Sequence, residues 1–219
     1  MDNNQLAIKY IQEQNFEKAT ELLNEAIANN PTDPLGYVNF GNLLLHMSDK
    51  VRAERFFKKA IELNDKTATA YYGLGNIYYE KESYDKAQRN YQQSIDLGLE
   101  DGDVYYMLGM SLRMLEQDLR ALPYLLRGTE LNPNDLEGLF QYGLTLAQTN
   151  YLSEAKEIFE KILLPDEHHA DAHYNLGVIA LFNENAEEGL NHFERALSAQ
   201  PDHILAANGK KTVLEALEE

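Results

Sequence analysis

The sequence predicts an all-α fold: a solenoid of six helix-turn-helix repeats closed by one further helix, in a single domain over residues 1–219. Two observations carry that prediction. Gly41, Gly75, Gly109, Gly143 and Gly177 recur every 34 residues, with Ala7 in phase before them. Twelve positions after each comes a small residue, and four further on a bulky one. A fixed period of this length marks stacked supersecondary units, each too small to bury its apolar face alone.

The repeats can be taken in order. The first, about residues 1–33, holds Leu6-Ala7, Ala19 and Leu23 and ends at Pro31. The second, 34–67, holds Phe40-Gly41, Ala53 and Phe57, with Asp65 in the proline's place. The third, 68–101, holds Leu74-Gly75, Ala87 and Tyr91, with Leu99 there. The fourth, 102–135, holds Leu108-Gly109, Ala121, Leu125 and Pro133. The fifth, 136–169, holds Tyr142-Gly143, Ala155 and Phe159, with Glu167 at the end. The sixth, 170–203, holds Leu176-Gly177, Gly189, Phe193 and Pro201.

Each unit reads as two helices, because apolar residues recur at three- and four-residue spacing on both sides of a polar turn such as Lys81-Glu82-Ser83. The small residues let two helices approach closely, and a bulky side chain there would overpack the contact at about 1–3 kcal/mol. Pro123 falls near the start of a second helix, where a mild kink is expected rather than a break. Leu97-Gly98-Leu99 reads as an ordinary helix cap and turn. Residues 204–219 form the capping helix. Lys210 and Lys211 stand where the large residue and glycine would be, so a polar outer face and a complete array are expected.

The formal net charge is −17, graded from −2 over residues 1–67 to −5 over 68–135 and −10 over 136–219. Nucleic acid and anionic membrane surfaces both demand the opposite sign, so neither is an expected partner. There is no cysteine, no apolar run of membrane-spanning length and no basic-then-apolar leader, so a cytoplasmic location is expected. Phosphate loops, nucleophile elbows and His-Glu-x-x-His pairs are absent.

These residues together resemble the tetratricopeptide-repeat family, whose pattern runs Trp-x2-Leu-Gly-x2-Tyr, then Ala-x3-Phe, then Pro. The fullest copy is 68–101, with Tyr71, Leu74, Gly75, Tyr78, Ala87 and Tyr91. The chain has no Trp; Tyr37, Tyr71, Tyr105, Leu139 and His173 occupy that place. The resemblance implies a right-handed superhelix whose first helices line a concave groove. It also implies a protein–protein adaptor or scaffold rather than an enzyme, with no cofactor.

Residues that would face such a groove follow from the phase. One row holds Asn4, Val38, Tyr72, Tyr106, Phe140 and Tyr174, and the next holds Ile8, Asn42, Asn76, Met110, Leu144 and Val178. A third row holds Ile11, Leu45, Tyr79, Arg113, Ala147 and Leu181, with His46, Met114 and Phe182 beside it. Tyrosines in the first row are expected to pack partly between repeats. The apolar second row is the better sign of a protein ligand, a peptide or a helix. A chaperone-type carboxylate clamp is not expected, since no lysine stands in the first row. The alternative is self-association through the groove to a homodimer. A metal-dependent activity at His168, His169 and His173 is the remaining reading, set against packing and helix-start roles for the same residues.

Overall fold

The computed structural model describes residues 2–218 and contains, among them, thirteen α-helices and no strand. The class is the all-α solenoid of helix pairs that the period predicts. Two compact units divide the chain, Met1–Gln117 and Asp118–Glu219.

The first unit holds α1 (Asn3–Gln12), α2 (Phe16–Asn29), α3 (Pro34–His46), α4 (Lys50–Leu63), α5 (Ala68–Glu80), α6 (Tyr84–Asp96) and α7 (Gly102–Met114). The second holds α8 (Asp118–Leu131), α9 (Leu136–Gln148), α10 (Leu152–Leu163), α11 (Ala170–Phe182), α12 (Ala186–Ala199) and α13 (Ile204–Glu218). Within each unit, helices adjacent in sequence pack against each other. α8 runs unbroken through Pro123, as expected for a proline near a helix start.

Asparagine and aspartate begin many of these helices for a local reason. The first backbone N–H groups of a helix lack partners, and a short side-chain oxygen can accept from them. Asp2 Oδ1 accepts from Gln5 N at 2.8 Å, Asp33 Oδ1 from Leu35 N at 3.0 Å and Asp49 Oδ1 from Arg52 N at 3.0 Å.

First helices end in a common device that their polar turns only hint at. Gln14, Ser48, Glu82, Glu116, Asn150 and Glu184 all have positive φ, one per repeat. Around each, two amides fold back onto the helix: Glu82 N donates to Tyr79 O at 2.9 Å and Ser83 N to Tyr78 O at 2.9 Å. This is the Schellman closure, which usually takes glycine at the left-handed position. Here that position is a strained non-glycine residue in every repeat. α6, a second helix, ends the same way on Gly98 at φ 90.

The core is built from the bulky second-helix residue of each repeat. Leu23, Phe57, Tyr91, Leu125, Phe159 and Phe193 are all buried. Glycines on neighbouring first helices make room for the rings. A methyl group added to Gly41 would stand 2.7 Å from the Phe57 ring, and one added to Gly75 would stand 2.5 Å from Tyr91. Phe193 is flanked by Gly177 on its own repeat and Gly209 on α13, each at 2.7 Å on the same measure.

α13 differs from expectation on its outer side. Ile204, Leu205, Leu214 and Leu217 are exposed beside Lys211, so that side is mixed rather than polar. Leu214 is in phase with the buried Leu146 and Ala180, and so keeps an apolar type that earlier repeats cover.

Truncating Tyr91 or Phe159 to Ala is expected to cost about 3–5 kcal/mol. Calorimetry should show the loss as a separate low-temperature transition of the damaged region, because solenoid repeats contact only their neighbours. A side chain that could be removed without lowering the melting temperature would contradict the packing described. Glu82→Gly should raise stability by about 0.5–1 kcal/mol by relieving left-handed strain, while Gly98→Ala should lower it by about 1 kcal/mol. Urea denaturation of the two variants should move the midpoint in opposite directions.

Candidate functional site

First helices present the residues that the repeats leave over after packing. In the first unit this face carries a depression of about 510 Å³ lined by Ile8, Ile11, Gln12, Asn39, Asn42, Leu45 and His46. Asn42 is exposed there. Asn39 is buried and donates to Asn4 Oδ1 at 3.2 Å. Gln12 shares the phase of His46, Met114 and Phe182; Asn39 falls on none of the rows read from the period and was not legible.

Two positions expected on this face belong to the core. Val38 and Ile11 are both buried, Val38 at 3% exposure. Tyr72, in phase with Val38, reaches farther out and is half-buried; a short branched side chain at the same place ends inside the helix contact.

Asn76 serves the interior as well as the face. Tyr91 donates its hydroxyl proton to Asn76 Oδ1 at 2.8 Å, and the Tyr72 ring lies 5.9 Å from that of Tyr91. A buried phenol needs an acceptor, and burial holds the Tyr91 pKa well above that of a free phenol. Phe57, Phe159 and Phe193 make no such demand, so the residues in phase with Asn76 are relieved of it: Asn42, Leu144 and Val178. Tyr79 packs edge-on against Tyr84 at 5.3 Å. On α7, Tyr106, Met110 and Arg113 are half-buried, with Arg113 Nη1 4.0 Å from Met110 Sδ, and Met114 is exposed.

In the second unit Phe140 is held between the rings of Phe159 at 5.8 Å and His169 at 5.3 Å. Tyr174 repeats that arrangement between Phe193 at 6.0 Å and His203 at 5.3 Å. These aromatics are therefore fixed by packing. The residues beside them are not covered. Leu144 and Leu181 are half-buried, Val178 is 42% exposed and Phe182 68% exposed.

The histidines do not converge. His169 is the N-cap of α11, its Nδ1 accepting from Ala172 N at 3.2 Å. His168 lies in the preceding turn, with its Nε2 3.7 Å from Glu167. His173 is buried, its Nε2 donating to the Glu167 carbonyl at 3.1 Å. That bond makes His173 Nδ1 an acceptor, so the His192 Nδ1–H donates to it at 3.1 Å. His203 repeats the capping role, with Nδ1 accepting from Ala206 N and Nε2 donating to Asp171 Oδ1, both at 3.1 Å. Among the described residues no group of three His, Asp or Glu side chains is placed to hold a metal ion. His192 and His203 escaped sequence reading because their partners lie 19 and 32 residues away.

Three family profiles described as tetratricopeptide repeat match residues 36–100, residues 72–136, and residues 136–164 with 170–203. The crystal structure of YrrB, described as a TPR protein with an unusual peptide-binding site, is 45% identical over 86% of this chain and 97% of its own, with a TM-score of 0.83. This chain belongs to the tetratricopeptide-repeat family. The TPR fold recurs at lower identity in MamA, 20% identical over 74% of this chain and 94% of that one with a TM-score of 0.68. It recurs also in PilF of Pseudomonas aeruginosa, 16% identical over 96% of both chains with a TM-score of 0.77. No curated protein matches. TPR arrays are in general non-catalytic scaffolds that bind other proteins through extended repeat surfaces. No helix among the described residues of this TPR protein is long and apolar enough to cross a membrane.

Asn76→Leu should cost about 1–3 kcal/mol by stranding the Tyr91 hydroxyl, and adding Tyr91→Phe should recover most of the loss. A double-mutant cycle with no coupling would contradict that reading of Asn76. The histidine pair makes a second expectation. Burial, and then the proximity of His173, hold the His192 pKa at about 4, below the ordinary 6.5. The unfolded chain therefore binds more protons than the folded one between those values, and stability falls as pH drops through them. Melting temperature should decline from about pH 7 to about pH 5, and His192→Gln should flatten the decline.

Proposed function

We propose that this protein is an adaptor whose first-helix faces bind a peptide or helix of a partner protein. One observation carries the reading: Val178 and Phe182 stand uncovered on α11 beside Leu181, one repeat on from the half-buried Leu144, on a chain with net charge −17. Contiguous apolar surface rimmed by charge is the usual mark of a protein interface. The likeness to YrrB, which has a peptide-binding site, supports the same reading.

The partner segment would place an apolar side chain against Val178 and Phe182 and carry basic or neutral flanks, because residues 136–219 are strongly acidic. In the first unit, Asn42 in its depression, with Tyr72, Asn76, Tyr79, Tyr106, Met110, Arg113 and Met114 on the neighbouring first helices, would add mixed polar and apolar contacts. Asn42 can both donate to and accept from a peptide backbone. The absence of cysteine fits a reducing cytoplasm as the place of action.

Peptides selected from a displayed library against the whole chain supply the ligand for a test. Val178→Lys with Phe182→Lys should weaken their binding by about 30-fold or more, as for loss of a central apolar anchor. Stability should change by only about 0.5 kcal/mol per site, since both side chains are exposed. Selected peptides that bind the doubly substituted chain as tightly as the parent would reject this face.

A further inference from the structure

We propose that the outer face of α8 is a self-association surface, on which a second copy of this chain docks about a twofold axis. The face stands out by comparison within the molecule. Leu119 is in phase with Glu17, Asp85, Ser153 and Glu187, and with the apolar Val51. Leu126 is in phase with Asn24, Lys58, Gln92, Glu160 and Glu194. Pro123 is in phase with Glu21, Arg55, Arg89, Glu157 and Asn191. Most second helices thus turn charged or polar side chains outward, while α8 turns an apolar stripe. Packing inside the chain does not account for it. Ala121, Leu125, Gly128 and Thr129 form the buried side of α8, whereas Leu119 is 66% exposed and Leu126 41% exposed.

The shape of the face identifies its occupant. Leu119 projects at one end of the stripe. From the middle of the stripe toward its other end lies a shallow depression of about 230 Å³, lined by Leu122, Pro123, Leu126, Tyr142, Leu146, Tyr151 and Glu154. A knob at one end of a surface and a hole running from its middle to the other end can complement each other about a twofold axis. In an antiparallel pairing of two α8 helices centred between Leu122 and Pro123, Leu119 of each copy meets Leu126 of the other, at the depression. Electrostatics permit the approach at this helix. Asp118, Arg120, Arg127 and Glu130 leave α8 with no net charge, while residues 136–219 carry −10. Two copies meeting through the acidic surfaces of residues 136–219 would repel more strongly. One helix and its neighbours bury less than the roughly 1,200 Å² of a stable complex, so the dimer is a weak one that forms as concentration rises.

Sedimentation equilibrium of the full chain over a wide concentration range tests this. The average mass should rise from 25.0 kDa toward twice that value. Leu119→Lys should weaken the association about tenfold or more and leave the melting temperature nearly unchanged, since the side chain is exposed. Phe182→Lys, on the face proposed for partner peptides, should leave the dimer intact, so the two proposals can fail separately. The native chain has no cysteine, which permits a geometric check. Pro123→Cys, close to the twofold axis, should give a disulfide-linked dimer with copper phenanthroline, and Arg89→Cys at the same position of the third repeat should not. A mass fixed at 25.0 kDa at every concentration would overturn the proposal. So would a dimer that Leu119→Lys leaves unweakened.

Discussion

The fold depends on aromatic side chains of second helices, Phe57, Tyr91, Phe159 and Phe193, lying against first-helix glycines that have no side chain at the point of contact. Gly41 and Gly73 both face the Phe57 ring, and Gly177 and Gly209 both face Phe193. One ring thereby joins the two helices of its own repeat and the first helix of the next. Apolar burial of a whole ring is worth several kcal/mol, and it is available only if the glycines stay glycine. The 34-residue period follows, because each new pair must present the same gap to the same ring.

Function in such an array falls to what packing does not use. Phe140 and Tyr174 lie on the first-helix face, yet each lies between two rings tilted against it and belongs to the structure as much as to the surface. Asn76 is similarly committed by the Tyr91 hydroxyl. Val178, Leu181 and Phe182 have no comparable stack of rings, and on this ground they are the proposed contacts for a partner. The same reasoning separates α8 from the other second helices. Its inward side is the ordinary small-and-large pattern of Ala121 and Leu125, and only its outward side departs from the repeat.

Periodicity made the helix pairs legible, since glycine, small and bulky residues at fixed offsets leave few other ways to bury the bulky one. It made much of the candidate face legible too, but not the depth of each side chain. Val38 and Tyr72 share a phase and differ in burial, because side-chain length decides which one reaches the surface. The left-handed turn residues were invisible: Glu82 and Glu184 have no local preference for positive φ, and only the closure of the helix end imposes it. Long-range hydrogen bonds were equally hidden. Nothing near His173 in the chain announces His192, and His203 reaches Asp171 only because stacking brings α13 beside α11.

The proposed partner binding rests on side chains that packing leaves uncovered. Amide chemical-shift mapping of a selected peptide on the isotopically labelled chain tests that most directly. Binding on the first-helix face of the second unit predicts shifts centred on Leu144, Val178, Leu181 and Phe182, fading toward the outward residues of α10 and α12. Shifts confined to those outward residues, with Val178 and Phe182 unmoved, would contradict it.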